Sequence, residues 1–119
     1  MPSKPEELRV RTKAFAIRIV RLVRALPNSP EGWVIGKQVL RSGTAVAANY
    51  RATCRARTKP EFIAKIGVVV EEADETVFWL ELLTESGVVP AAKMEPLLRE
   101  SRELTAMFTA AQRTSRASQ

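Results

Sequence analysis

Apolar residues recur at intervals of three and four along most of this 119-residue chain, in four blocks separated by short polar breaks. Such spacing places side chains on one face of an α-helix, while Pro, Gly and small polar residues interrupt helices. The pattern therefore predicts four helices, at about residues 5–26, 31–57, 60–86 and 91–113. Residues 114–119 form a basic end that we expect to be a flexible tail.

Three of the four blocks carry a continuous apolar stripe. The first stripe comprises Leu8, Phe15, Ile19, Leu22 and Leu26. The third block contributes Phe62, Ile66, Val69, Ala73, Val77 and Leu80, and the fourth contributes Leu97, Leu104, Phe108 and Ala111. Four amphipathic helices joined by short loops favour an all-α fold, an up-down-up-down antiparallel four-helix bundle, with residues 1–119 forming a single domain.

The second block differs because its inward seam contains small and polar residues. The seam reads Ile35, Val39, Ser42, Val46, Asn49 and Thr53. Small seam residues allow a neighbouring helix to approach closely. If Ser42 and Asn49 are buried they need hydrogen-bond partners, for which Glu72, Glu75 and Thr76 are the candidates. A polar layer that sets the helix register explains this seam better than a ligand site does.

Positive charge is concentrated in the first half of the chain. Residues 1–59 contain 13 Lys and Arg but 3 Asp and Glu, whereas residues 60–119 contain 6 and 10. The partner of the basic half could be a nucleic acid, or the acidic half of the same chain or of another copy. The basic residues that we expect to contact RNA or DNA are Arg9, Arg11, Lys13, Arg55, Arg57 and Lys59. Only Tyr50 lies near them, so phosphate contacts should dominate and binding should be weak and salt-sensitive.

Several apolar residues fall on the faces opposite the core stripes. Val10, Ile17 and Val20 lie among basic residues, and Phe78 and Leu82 lie among acidic ones. The two faces are complementary, which predicts a homo-oligomer in which one face docks on the other, closing into a ring where the rotation permits. The alternative is a set of scattered surface hydrophobic residues, which are common.

The residues needed for common catalytic chemistry are missing. The chain has no His, no Gly-rich phosphate loop and one cysteine, Cys54. Without His the usual general base and most transition-metal sites are absent, so we expect no enzyme activity, no metal and no cofactor. The acidic residues Glu71, Glu72 and Glu75 are expected to form salt bridges with Arg41, Arg51 or Arg55. The single cysteine and the lack of a long apolar segment favour a cytoplasmic location.

Three segments carry a resemblance to a known family: RSGTAVAANYRAT, KPEFIAKIG and EEADETVFWLELL. Together they resemble the four-helix-bundle family named after proteins encoded in 23S rRNA intervening sequences, over about residues 8–115. The resemblance implies a helical bundle that assembles as a closed ring, often a pentamer. Related proteins are basic, nucleic-acid-binding accessory subunits of the reverse transcriptases of diversity-generating retroelements. The resemblance implies no enzymatic activity, and a structural or protein-interaction scaffold remains the alternative function.

Overall fold

The computed structural model describes residues 3–118, and these residues form four α-helices. The helices are α1 (Lys4–Ala25), α2 (Pro30–Thr53), α3 (Lys59–Glu85) and α4 (Ala91–Ala117). Each helix packs against the next along the chain, and α4 returns to α1 over a much shorter stretch. The predicted all-α, up-down-up-down antiparallel four-helix bundle is confirmed.

Three of the helices begin with the same local arrangement. The hydroxyl of the residue before the helix accepts a hydrogen bond from the backbone N–H three positions later, at 3.1 to 3.3 Å, in Ser3, Ser29 and Thr58. A proline occupies the first or second helical position of each. Such residues satisfy backbone donors that have no partner inside the helix. At the other end of α3, Gly87 has a φ of +82°, the left-handed conformation that stops a helix.

Two helix boundaries differ from those predicted. α2 ends at Thr53 rather than near residue 57, because residues 54–58 are needed to reverse the chain into α3. α4 continues to Ala117, so residues 114–117 of the predicted flexible tail are helical. The Ser115 hydroxyl donates to the Ala111 carbonyl at 2.9 Å, and the Lys59 ammonium donates to the Ser118 carbonyl at 3.0 Å. Residues 1, 2 and 119 lie outside the described residues. They are the first two residues of the predicted domain and the last residue of the predicted tail.

The core lies along the predicted apolar stripes. The largest fully buried side chains include Phe15, Ile19, Val39, Ile66, Leu80, Leu104 and Phe108. Tyr50 reaches from α2 across the bundle to Phe108 of α4, with the two ring centroids 5.1 Å apart. Burying these side chains removes the apolar surface that drives the helices together.

α1 and α2 approach each other closely because α2 presents glycine to α1. A Cβ atom at Gly43 would lie 2.8 Å from Cγ1 of Ile19, and one at Gly36 would lie 3.0 Å from Cδ1 of Leu26. Cβ atoms in proteins essentially never lie within 3.0 Å of a heavy atom from a distant residue, and the distance at Gly43 falls below that limit. The Ile19 side chain therefore occupies the space that a larger residue at position 43 would need. The close approach that the small seam residues predict is therefore present between α1 and α2.

The polar seam of α2 is satisfied in two different ways. The Ser42 and Thr76 hydroxyls hydrogen-bond at 2.9 Å, as predicted, and the Thr76 hydroxyl also lies 2.8 Å from the Glu72 carbonyl oxygen. Asn49 bonds to none of the candidate partners on α3: its side-chain amide donates to the Ala45 carbonyl at 2.9 Å, within its own helix. Asn49 is half-buried, and the carbonyl one turn earlier lies within its reach.

The Ile19–Gly43 contact yields a stability prediction with a built-in control. Gly43→Ala should lower the free energy of unfolding by about 1–3 kcal/mol, because the added methyl group forces Ile19 or the α1 backbone to shift. Gly67→Ala should instead be neutral or stabilising by up to about 1 kcal/mol, since a Cβ there meets only the flexible amide end of Gln112, at 3.2 Å. Urea unfolding followed by circular dichroism measures both changes, and equal effects at the two glycines would contradict the packing described.

Candidate functional site

An open groove of about 620 Å³ runs between α1 and α2 on the outer side of the helical hairpin. The first half of α1 lines it with Glu6, Arg9, Val10 and Lys13, which recur at intervals of three and four. The second half of α2 and the turn after it line it with Thr44, Ala47, Ala48, Arg51 and Arg55. Both walls come from one helical hairpin, so the α1–α2 packing alone fixes the width of the groove.

Small residues form the α2 side of this groove. Ala47 and Ala48 carry only a methyl group, and Thr44 turns its hydroxyl back to the Leu40 carbonyl at 2.7 Å. No long side chain on this part of α2 fills the space in front of the backbone. An extended ligand can therefore approach the helix closely.

Four cationic side chains line the groove and none of them has an ion-pair partner within residues 3–118. They are Arg9, Lys13, Arg51 and Arg55. Glu6 is the only acidic residue among the lining residues. Cations that are close together and lack carboxylate partners create a positive potential that attracts anions.

The structure brings together only part of the set predicted to contact nucleic acid. Arg9, Lys13 and Arg55 share the groove. Arg57 lies beyond the end of α2, 3.6 Å from a Glu61 carboxylate oxygen, and Lys59 lies at the start of α3, where it bonds to Ser118. Sequence reasoning did not include Arg51, although its position four residues before Arg55 and seven after Thr44 places it on the same side of α2.

Arg11 serves the fold rather than the groove. Its Nε and Nη2 atoms donate to the two carboxylate oxygens of Glu100 on α4, at 2.8 and 2.6 Å. A third donor, Nη1, lies 3.4 Å from the Met107 sulfur, and Glu103 is 3.6 Å from the guanidinium. Arg11 therefore ties α1 to α4, the two helices that share the shortest contact of any packed pair, and it does not belong to the candidate site.

Hydrogen bonding across this pair shifts both ionisation equilibria. The hydrogen bonds from Arg11 hold the pKa of Glu100 below its ordinary value, with burial acting in the opposite direction. The hydrogen bond to Glu100 likewise raises the pKa of Arg11. A paired, partly shielded carboxylate of this kind favours the ionised form.

A second arginine joins α2 to α3. Arg41 Nη1 lies 3.1 Å from a Glu72 carboxylate oxygen, and Nη2 lies 2.6 Å from one of Glu75. The hydrogen bond from Arg41 lowers the pKa of Glu75, which also accepts the indole N–H of Trp79 at 3.3 Å. The predicted salt bridges of Glu72 and Glu75 are thus present, whereas Glu71 makes none with residues 3–118.

The residues predicted for an oligomer interface lie on two separate faces. Val10 and Ile17 of α1 are 71% and 44% exposed, and Phe78 of α3 is 52% exposed, packed edge-on to the Trp79 ring at 4.9 Å. Val20 and Leu82 are half-buried. Because α1 and α3 do not contact each other, these faces can meet only between copies.

Three further questions bear on function in the described part of the chain: whether it has a metal site, a membrane-spanning helix, or a tyrosine that is free to stack on a ligand. Within residues 3–118 no group of His, Cys, Asp and Glu side chains is arranged to hold a metal ion, and no helix is both long and apolar enough to cross a bilayer. Tyr50, the one tyrosine, is buried against Phe108, and burial raises its pKa above the ordinary value. It is not available to stack on a ligand.

The model of the 23S rRNA-intervening sequence protein family matches residues 6–110. The chain belongs to this family. That span includes all four groove cations and confirms the resemblance seen in the sequence. As a member of the family the chain is also similar to a solved structure, a protein with unknown function from the S23 ribosomal protein family of Bacteroides thetaiotaomicron. The two are 32% identical and superpose with a TM-score of 0.85, covering 93% of this chain and 99% of the other. No curated protein matches the chain.

The lowered pKa of Glu100 predicts a specific pH dependence. A carboxylate whose pKa is lower in the folded than in the unfolded state contributes stability above its unfolded pKa, near 4.3, and this contribution disappears as the pH falls through its folded pKa. Arg11→Gln should raise the pKa of Glu100 towards that ordinary value and flatten the loss of stability in acid. NMR titration of the glutamate side chains gives the pKa directly, and Arg99→Gln, at an exposed pair with Glu95, is the control. An unchanged Glu100 pKa in Arg11→Gln would contradict this account.

Proposed function

We propose that this protein is a non-enzymatic, nucleic-acid-binding factor that holds RNA or DNA by its phosphates in the α1–α2 groove. The observation that supports the proposal is the set of four cations, Arg9, Lys13, Arg51 and Arg55, which share one groove without carboxylate partners in the described chain. A phosphate backbone supplies anions at regular spacing along an extended path, and an open groove accepts such a ligand.

The binding energy in this proposal is mainly electrostatic. Contacts between cations and phosphates release condensed counterions, so affinity depends steeply on salt and little on sequence. The Arg guanidinium group also matches the geometry of a phosphate, with which it forms paired hydrogen bonds. Glu6 opposes binding, because a phosphate entering the groove approaches its carboxylate.

We also propose that copies of the chain assemble into a homo-oligomeric ring, a pentamer being the number that the resemblance implies. The acidic residues Glu71 and Asp74 occupy the outer face of α3 with the exposed Phe78, and make no salt bridges within residues 3–118. The outer face of α1 offers Ile17 and Val20 among basic residues, which suits this surface in both apolarity and charge. A ring would repeat the groove and raise the avidity for a long nucleic acid.

A scaffold without a nucleic-acid role is the second candidate. The unpaired acidic residues beside Phe78 favour it, because the α3 face of one copy could neutralise the groove cations of the next. Val10, which lines the groove and is exposed, would then belong to the protein contact. For both candidates we propose a cytoplasmic location, which the single cysteine supports.

Nucleic-acid binding should depend on the groove cations. Fluorescence anisotropy with labelled RNA and DNA should show affinity falling by about 3–4 log units per log unit of salt if four phosphates are contacted. The double variant Arg51→Gln/Arg55→Gln should reduce that slope by about 2 and weaken binding to every sequence alike. Glu6→Gln should strengthen binding, since it removes the only carboxylate lining the groove.

The matched control removes the same charge elsewhere. Lys93→Gln/Arg99→Gln changes two exposed positions of α4 and leaves the groove intact. Its effect on affinity should be small beside that of the groove variant. Equal losses in the two variants would show that net charge, not the groove, controls binding. Absence of binding even at low salt would remove the nucleic-acid proposal and leave the scaffold.

Assembly should depend on the outer face of α3. Phe78→Glu removes an exposed ring and adds a negative charge among acidic residues, so it should lower the oligomer mass measured by light scattering. Val34→Glu makes the same type of change at another exposed apolar residue, on α2, and should leave the mass unchanged. A wild-type protein that scatters as a monomer across the concentration range would refute the assembly.

A further inference from the structure

A second depression, of about 510 Å³, lies at the opposite end of the same helical hairpin, where α1 ends and α2 begins. Its lining includes Leu26, Gly36 and Leu40 and two exposed residues, Trp33 and Lys37. Trp33 is 61% exposed, although it is the largest apolar side chain in α2. Its neighbour Val34 is also exposed. The α2 start therefore presents an uncovered indole beside a cation.

The indole of Trp33 is held in place rather than free to rotate. Its Nε1 atom donates to Oδ1 of Asn28, in the turn before α2, at 2.7 Å. A hydrogen bond to an indole N–H lies in the plane of the ring and covers neither face. Fixing the ring in advance lowers the conformational entropy that a ligand stacking on it must remove.

Trp33 lies on the same side of α2 as the cationic groove. The positions that share this side recur at intervals of three and four: Trp33, Lys37, Leu40, Thr44, Ala48 and Arg51, with Arg55 following in the turn after α2. Trp33 and Arg51 are separated by ~27 Å along the helix axis, at 1.5 Å per residue. Lys37 has no ion-pair partner among the described residues and stands one turn after Trp33. One side of α2 thus carries a fixed aromatic ring and a cation, Lys37, near its start and a second cation, Arg51, near its end.

From this arrangement we infer that the protein selects single-stranded nucleic acid, with an unpaired base stacking on Trp33 while the strand continues along α2 and its phosphates enter the groove at Arg51 and Arg55. The inference rests on the proposed function. Bases in a continuous duplex are stacked on one another and present no free face, whereas a single strand, loop or bulge can turn a base outward. A base stacked on an aromatic side chain adds affinity with little sequence preference.

The other aromatic residues are buried, half-buried or on an acidic face: Phe15 and Phe108 lie in the core, and Phe62 is half-buried on α3. Tyr50 is buried in the core, and Trp79 lies half-buried on α3 with its N–H tied to Glu75. Phe78 is exposed but belongs to the acidic face of α3, which repels phosphate. Trp33 is the exposed ring that shares a side of α2 with Lys37 and Arg51.

The test uses Trp33 as its own reporter in a Trp79→Phe background, where it is the only tryptophan. The probes are an oligouridylate RNA of about 16 nucleotides and an RNA duplex whose two ends are closed by non-nucleotide linkers. Oligouridylate should quench the emission of Trp33, and the closed duplex should not. Trp33→Ala should weaken binding of oligouridylate by ~5- to 100-fold and of the closed duplex by less than about twofold.

Two variants serve as controls. Val34→Ala removes an exposed apolar residue from the same turn and should leave both affinities unchanged, whereas Trp33→Phe should retain part of the single-strand affinity because it keeps a ring. Equal loss on both probes in Trp33→Ala, or no quenching by oligouridylate, would overturn the inference while leaving phosphate binding in place. Emission that changes with protein concentration and not with oligouridylate would assign Trp33 to a contact between copies. Failure of both probes to bind at low salt would overturn the proposed function as well.

Discussion

The close contact between Ile19 of α1 and Gly43 of α2 is the constraint on which the rest of the structure depends. It sets the separation of the two helices, because any Cβ at position 43 would collide with Ile19. The small residues continue along α2 on its outer side, where Ala47 and Ala48 face the groove. The run of small residues in α2 therefore has two effects, tight packing towards α1 and an unfilled groove between the two helices on the surface.

The charges of the molecule divide into those that hold the helices together and those that do not. Arg11 and Arg41 join α1 to α4 and α2 to α3, and the pKa shifts of Glu100 and Glu75 report these contacts. The groove cations have no such task within residues 3–118. A basic composition therefore overstates the charge available to a ligand, and the location of the remaining cations is more informative than the net charge.

The sequence predicted the bundle because the helix period is visible without knowing any neighbour: Phe15, Ile19 and Phe108 are apolar at the right intervals and are buried. The partner of Arg11 could not be predicted, because it depends on the rotation and register of α4 against α1, which the period of a single helix does not give. The helix period does place Arg9 and Arg11 on different sides of α1. The predicted nucleic-acid contacts nevertheless included both, because they were chosen where basic residues are densest in the sequence. Trp33 was also missed, although the helix period places it two residues before Ile35 and therefore on the side of α2 opposite the seam, where it is exposed.

The α1–α4 edge has a mechanical consequence for the groove. Within residues 3–118, α1 and α4 share hydrogen bonds only through Arg11, and they approach each other over a short stretch. A bundle closed in this way opens most easily between α1 and α4, because the fewest contacts hold those two helices together. Both walls of the groove belong to the α1–α2 hairpin, and neither wall depends on the contact between α1 and α4. Thermal opening of the bundle can therefore expose core residues while the groove keeps its width.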